Sequence, residues 1–345
     1  MIYFTSDYTE GCHPRILDRM VRTNFEQTSG YGTDYHCRNA ARYILSECGR
    51  ENAQVHFLVG GTQTNLTLIA TALRPHQGAV CAESGHIHVH ETGAVEATGH
   101  KCLTLPSPDG KINASQIREL VRLHRVDESM EHTVQPKLVY ISNPTEYGTI
   151  YSLAELEALH AVCQKLGLYL FVDGARLGYG LQCRSSDVTM ADLARLCDAF
   201  YIGGTKVGAL FGEALVITDP TLGEDFRYIM KQHGGMLAKG RLLGIQFEVL
   251  FEDGLYYRIS DHALSMADRI LDKLSSLGVP MVPDSPTNQI FPVVSDAVLE
   301  QLRREFALTY MDRVDENTSR IRICTSWATR EEDVQALCDA LEKLL

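Results

Sequence analysis

The chain has no long apolar run; no stretch approaches the roughly 18 residues of a membrane-spanning helix. Its opening, Met1-Ile-Tyr-Phe-Thr-Ser-Asp-Tyr-Thr-Glu10, has no basic region and no apolar core with a cleavage site, so no secretory leader is expected. Positive charge is not in excess. Against 44 Asp and Glu stand 32 Lys and Arg, a net charge of −12, which argues against nucleic acid or an anionic membrane as partner. None of the ten cysteines forms a Cys-x-x-Cys pair. Several, such as Cys163 and Cys324, lie in apolar runs. The expectation is packed, reduced thiols in a cytoplasmic protein and not a disulfide framework. Internal repeats and low-complexity tracts are absent as well.

What is present is ordinary globular material: 345 residues, 45% hydrophobic and 22% charged. That length exceeds one core and predicts two domains. Short apolar runs predict strands over 55–59, 79–82, 138–141, 168–172 and 199–202. Helix-period segments over 63–73, 113–125, 152–167 and 190–196 alternate with them. Ser152-Leu-Ala-Glu155 reads as a capping box, and Gly167 as the stop of the helix it opens. This alternation implies a mostly parallel sheet covered on both faces. After about residue 240 the texture changes. A long helix over 255–277 is predicted, then a strand (289–294), a helix (296–306), a strand (320–325) and a last helix opened by a Thr329–Glu332 capping box. The expected division is 1–240 for a large domain and 241–345 for a smaller α+β domain, with the N-terminal segment packed on the small domain or on a partner subunit.

In such sheets ligands sit beyond the C-terminal ends of the strands, and four of these ends carry suggestive residues. After the first comes Gly60-Gly61-Thr62-Gln63-Thr64-Asn65, a glycine-rich helix start of the kind that cradles phosphate; the plainer alternative is Thr62 as an N-cap. A later strand ends in Asp173-Gly-Ala-Arg176. An ionised Asp there can pair with a protonated pyridine nitrogen, as pyridoxal phosphate (PLP) sites require. Arg176 is placed to reach the cofactor's phenolic oxygen or phosphate. The next strand is followed by Gly203-Gly-Thr205-Lys206 and an apolar run, a poor setting for a solvated lysine. A desolvated lysine near other cations becomes a nucleophile. The fourth feature is His86-Ile-His88-Val-His90. No cysteine or carboxylate set at zinc spacing accompanies it, and one of these rings suits stacking on a planar cofactor better than ligating a metal.

In this order the motifs resemble the L-threonine aldolase family of fold-type I PLP enzymes, over nearly the whole chain. Gly61, Thr62 and Gln63 match that family's phosphate loop, His86 its ring-stacking histidine, Asp173 and Arg176 its pyridine-binding pair. Lys206, preceded by Thr205, falls at the Schiff-base lysine. Arg322 falls at the arginine that grips the substrate carboxylate, Ser6 at a second carboxylate contact, and Tyr31 in a segment that reaches across a dimer interface. The family commonly has Asn-Thr-His-Asn-Gly where this chain has Asn143-Pro-Thr-Glu146-Tyr-Gly148, so Glu146 replaces a second histidine. The loop 231–239 lacks an arginine that often follows Met236, leaving Lys231 or Lys239 for the phosphate.

The resemblance implies an α/β fold of the fold-type I PLP-dependent transferase class, with a seven-stranded sheet domain and a small C-terminal α+β domain. It implies a homodimer or homotetramer acting on an amino acid. The expected reaction is retro-aldol cleavage of L-threonine, L-allo-threonine or a related β-hydroxy-α-amino acid to glycine and an aldehyde. Lys206 carries the cofactor, and His86, an ordered water or Glu146 handles the hydroxyl proton. β-Elimination and transamination are the alternatives within the cofactor's chemistry. A non-catalytic protein that kept the fold is the alternative outside it.

Overall fold

The computed structural model describes residues 1–345. Its centre is a seven-stranded sheet in the order Gln54–Leu58, Glu213–Ile217, Ala199–Gly203, Tyr169–Asp173, Gln135–Ser142, Gln77–Ala82, Lys101–Leu105. Only Glu213–Ile217 runs antiparallel to its neighbours. The expected strands are all there. Glu213–Ile217 and the edge strand Lys101–Leu105 were not foreseen.

Period-two alternation divides the strand side chains between two apolar layers. Val80, Val139, Leu170, Val172 and Phe200 enter one core. Cys81, Leu138, Tyr140, Phe171 and Tyr201 enter the other. A sheet buried on both faces cannot afford polar strand residues except at its ends, which is why the polar groups collect there.

Helix boundaries follow local chemistry. Ser152 caps Leu153–Leu166 in a capping box with Glu155. Asn113 with Gln116 and Thr189 with Asp192 do the same for Ala114–Val126 and Met190–Leu196. Gly167 ends its helix at φ 71°, a left-handed position that a Cβ disfavours. Three expectations in the C-terminal part are corrected. The 289–294 strand is two pieces, Gln289–Ile290 and Val293–Ser295, interrupted at Pro292, which has no N–H to give a ladder. The helix opening at Asp296 stops at Leu302, and Phe306–Ala307 pairs instead in parallel with Ile2–Tyr3. The Thr329 capping box does not form. Thr329 Oγ1 accepts from Ser326 N at 2.8 Å, and Arg330 stands at the N-cap of Glu331–Leu344.

A third core gathers Phe4, Met266, Ile270, Ile290, Ile321, Ile323 and Val334. Helix Arg241–Phe251 contributes Leu243, Phe247 and Leu250 to the large core, and the first half of helix Leu255–Ser276 does the same with Leu255, Ile259 and Ala263. The changeover between cores falls inside the 255–276 helix. The N-terminal segment packs on the C-terminal part through Phe4.

Candidate active site

Beyond one end of the sheet lies a cavity of about 350 Å³, a size that suits a small ligand. Five parallel strands stop there, and the residues that follow them line it or close it. Gly60, Gly61 and Thr62 come from the end of Gln54–Leu58, His86 from beyond Gln77–Ala82, and Glu146 from beyond Gln135–Ser142. Asp173 and Arg176 come from Tyr169–Asp173, and Thr205 and Lys206 from Ala199–Gly203. Tyr8, Tyr201, Phe211 and Glu213 complete the wall. The backbone is crowded here. A Cβ on Gly174 would run into the carbonyl of Tyr201, and one on Gly203 into that of Ala175. Both positions need glycine for close approach of two strand ends.

Lys206 lines the cavity with its amine in no salt bridge. Burial, then the charge of Arg176, pushes its pKa below the ordinary lysine value, against the pull of Asp7 and Asp173. Asp173 is buried. Its Oδ1 accepts from Ala175 N at 2.9 Å; its Oδ2 accepts from Tyr140 Oη at 2.6 Å and Asn65 Nδ2 at 3.1 Å. Burial alone would raise its pKa, but the charge of His86 and the Tyr140 bond hold it below the usual value, so it stays ionised.

His86 is oriented from below. Its Nδ1 lies 2.8 Å from Glu91 Oε1, which also accepts from Asn65 Nδ2 at 2.7 Å. Burial would depress the imidazole pKa, yet the Glu91 bond and the charges of Asp173 and Glu91 lift it above the ordinary value. Residues 86–89 form a single helical turn, so His86 meets His90 with ring centroids 5.6 Å apart, and His88 stands apart from the pair.

Glu146 accepts at Oε1 from the His86 backbone N–H at 2.9 Å and from Ser142 Oγ at 2.7 Å. Oε2 is left open. No cation pairs with it, and burial, with the charge of Asp173 adding to it, raises its pKa. Arg176, one cation that could have neutralised it, is committed elsewhere. Its Nε and Nη2 hold Asp7 Oδ2 and Oδ1 at 2.7 and 3.0 Å.

The helix Gly61–Ala72 has Gly60 at its N-cap and no side-chain cap. Thr62 is thus not the cap, and the first-turn N–H groups remain open toward the cavity. The Gln63 side chain points away and clamps Val59 N (3.2 Å) and the His233 carbonyl (3.0 Å). Thr205 Oγ1 bonds to Glu213 Oε1 at 2.9 Å.

Besides Gln63, three expected residues do not line the cavity. Ser6 is buried. Arg322 gives Nη2 to the Thr5 carbonyl (2.9 Å) and Nη1 to Gln289 Oε1 (3.2 Å), while its buried Nε has no partner. Tyr31 lies in a separate depression with Arg227 and Met236, 47% exposed, its ring 4.7 Å from Lys231 Nζ. Asp7, Glu91, Asn65 and Glu213 were missed as site residues. Asp7 and Glu91 adjoin Ser6 and His90 in the chain, but nothing local showed which carboxylate turned inward.

A lysine without an ion partner, an ionised buried carboxylate, an imidazole and an open helix start converge as partners for one planar, phosphate-bearing, basic-nitrogen ligand. Fold and site together define the class, a fold-type I chain of the PLP-dependent kind. The chain belongs to the beta-eliminating lyase family, whose profile matches residues 4–297, and it is a lyase-family enzyme. It is 32% identical to the low specificity L-threonine aldolase of Pseudomonas sp. (strain NCIMB 10558) over 341 residues, 97% of this chain and 95% of that one. It is 30% identical to the protein of the same name from Pseudomonas aeruginosa, with the same coverage. The solved Leishmania major threonine aldolase superposes with a TM-score of 0.97 at 45% identity, covering 100% of this chain and 99% of that one. An aspartate aminotransferase from Thermus thermophilus shares the fold, with a TM-score of 0.74 at 15% identity, covering 100% of this chain and 92% of that one.

Proposed function

We propose that the chain is a PLP-dependent aldehyde-lyase that cleaves L-threonine, L-allo-threonine or a related β-hydroxy-α-amino acid to glycine and an aldehyde. The observation that carries this reading is the convergence of Lys206, Asp173, His86, Glu146 and the Gly60–Thr62 helix start on one cavity, together with the threonine aldolase names of its relatives. When bound, the cofactor's protonated pyridine ring supplies the sink for the electron pair released at the substrate Cα.

The chain's residues divide the remaining work. Lys206, partly desolvated and without an ion partner, is the amine that carries the cofactor. Asp173 holds a positive charge opposite its ionised carboxylate. The first-turn N–H groups after Gly60, with Thr62, bind the phosphate. Arg322, set outside the cavity wall with a partnerless Nε, is assigned to the substrate carboxylate on the family resemblance. The β-hydroxyl proton needs an acceptor whose pKa lies near the working pH. His86 is biased toward the protonated form by Glu91, which makes it a donor. Glu146, raised by burial and with Oε2 open, is the better base. Its role follows from burial without a cation, not from replacing a histidine ring.

A second subunit completes this reading. Leu17, Val21 and Phe25 stand 49, 75 and 95% exposed on and just after helix Pro14–Arg22, an apolar stripe that a homodimer would cover. Tyr31 would then serve the partner's site, and two dimers would pair as a tetramer. The two structural units meet along helix Leu255–Ser276. The ten buried, unpaired thiols suit a reducing compartment, and no helix is long and apolar enough to cross a membrane. We therefore place the enzyme in the cytoplasm.

The test is incubation of the PLP-loaded protein with L-threonine and L-allo-threonine, with products identified by mass spectrometry. Glycine and acetaldehyde are expected. A 2-oxo acid with ammonia would replace the aldol reading by elimination. Borohydride reduction followed by peptide mapping is expected to place the cofactor on Lys206.

A further inference from the structure

Glu213 opens the one antiparallel strand of the sheet, and the register sets it opposite both Gly203 and Leu58. It is therefore wedged between the loop that leads to Lys206 and the loop that leads to the Gly60–Thr62 helix start. The residue is 4% exposed and lines the cavity. Oε2 accepts from Gly204 N at 2.9 Å, and Oε1 accepts from Thr205 Oγ1 at 2.9 Å. Thr205 is tied again by Gly212 N at 2.9 Å. Both residues that precede Lys206 are thus pinned to this carboxylate. No cation lies in salt-bridge contact with it, and a buried carboxylate held only by neutral donors is costly unless charge nearby compensates it.

We propose that Glu213 is a positioning residue for Lys206, pinning the loop that presents the amine and biasing the amine's charge state through the field of its buried carboxylate. This rests on reading Lys206 as the cofactor-bearing amine.

Three carboxylates surround that amine, and their partners separate their roles. Asp7 is matched by the Arg176 guanidinium, and Asp173 accepts from three donors beside His86. Burial would raise both, but these partners hold both below the usual carboxylate value. Glu213 has two neutral donors and full burial, and burial pushes it up to about 7. It is the member of the three able to exchange a proton near neutrality. The ionisable groups facing it are Lys206, Asp173, Tyr201 and Tyr256, and Arg176 and Asp7 act on Lys206 from the far side. When Glu213 takes up a proton, the negative charge that favours the Lys206 ammonium is lost, and the amine gives up its own proton more readily. The neutral amine is then free to act as a nucleophile.

Competitive acetylation with acetic anhydride across a pH series, read by mass spectrometry on the Lys206 peptide, measures this amine without cofactor or turnover. Two coupled groups are expected to make Lys206 titrate in two steps in the wild type. In Glu213→Gln a single step is expected, its midpoint lower by about one to two pH units, because a negative neighbour no longer favours the ammonium. Glu213→Asp should keep two steps. The second readout is the pH profile of kcat/KM for threonine cleavage, which should lose an inflection near neutrality in Glu213→Gln. A single step in the wild type, or an unshifted midpoint in Glu213→Gln, overturns the proposal. So does a uniform loss of rate with an unchanged profile, which marks a purely structural carboxylate. Failure of the wild type to cleave threonine would count against the substrate reading alone, since the labelling result does not depend on it.

Discussion

Replacing Asp7 by Asn tests how the N-terminal segment is tied to the site. Asp7 lies 169 residues from Arg176, yet the two form a two-point pair at 2.7 and 3.0 Å. The Asp7 side chain is fully buried and that of Arg176 is 12% exposed. Asn288 Nδ2 adds a third bond to Asp7 at 2.9 Å. Asn keeps the shape and one acceptor but leaves the guanidinium without its counter-charge. Breaking a buried pair from one side costs about 3–5 kcal/mol, most of it the penalty of the stranded charge. Urea denaturation followed by the fluorescence of Trp327, the single tryptophan, should show that loss at neutral pH and fixed protein concentration. The sign of the pH dependence is set by Asp7. Burial would raise its folded pKa, but Arg176 and Lys206 hold it below the model-peptide value. Its contribution is therefore complete above the unfolded pKa of about 3.9 and fades as pH falls through the folded value. The gap between wild type and Asp7→Asn should narrow in acid. Adding Arg176→Gln should recover part of the loss, because the stranded charge is gone. A loss below about 1 kcal/mol, a gap that does not change with pH, or a strictly additive double variant would refute the reasoning.

Glu91→Gln should lower the His86 pKa, since the charge that lifts it disappears; NMR titration of the imidazole, or an acid-side shift of the kcat/KM profile, checks this. Arg322→Lys should raise KM for threonine while PLP stays bound, because a lysine cannot offer a planar fork to a carboxylate; unchanged kinetics would leave Arg322 a structural tie to Thr5. Glu146→Gln should keep the anchor on the His86 N–H yet lower kcat by on the order of 10²-fold or more, and turnover near the wild-type rate would remove Glu146 as base.

Much of this was legible in the sequence because it depends on neighbours in the chain. Periodicity marked the strands of the core, and capping at Ser152 and the stop at Gly167 are interactions within a few residues. The rule that ligands gather beyond strand ends pointed to Thr62, Asp173 and Lys206, all of which reach the cavity. Where a distant partner intervened, local reading stopped. Thr329 was diverted by Ser326, and Phe306 left its helix to pair with Ile2. The antiparallel strand that carries Glu213 was not marked, since only the sheet's order shows that this run fills the gap between two parallel strands. Tertiary structure alone decided that Asp7 neutralises Arg176, so that Glu146 stays without a cation. It alone decided that Glu91, not His88 or His90, supports His86. A buried charge takes its partner from whatever the fold brings within a few ångströms, and sequence distance carries no information about that choice.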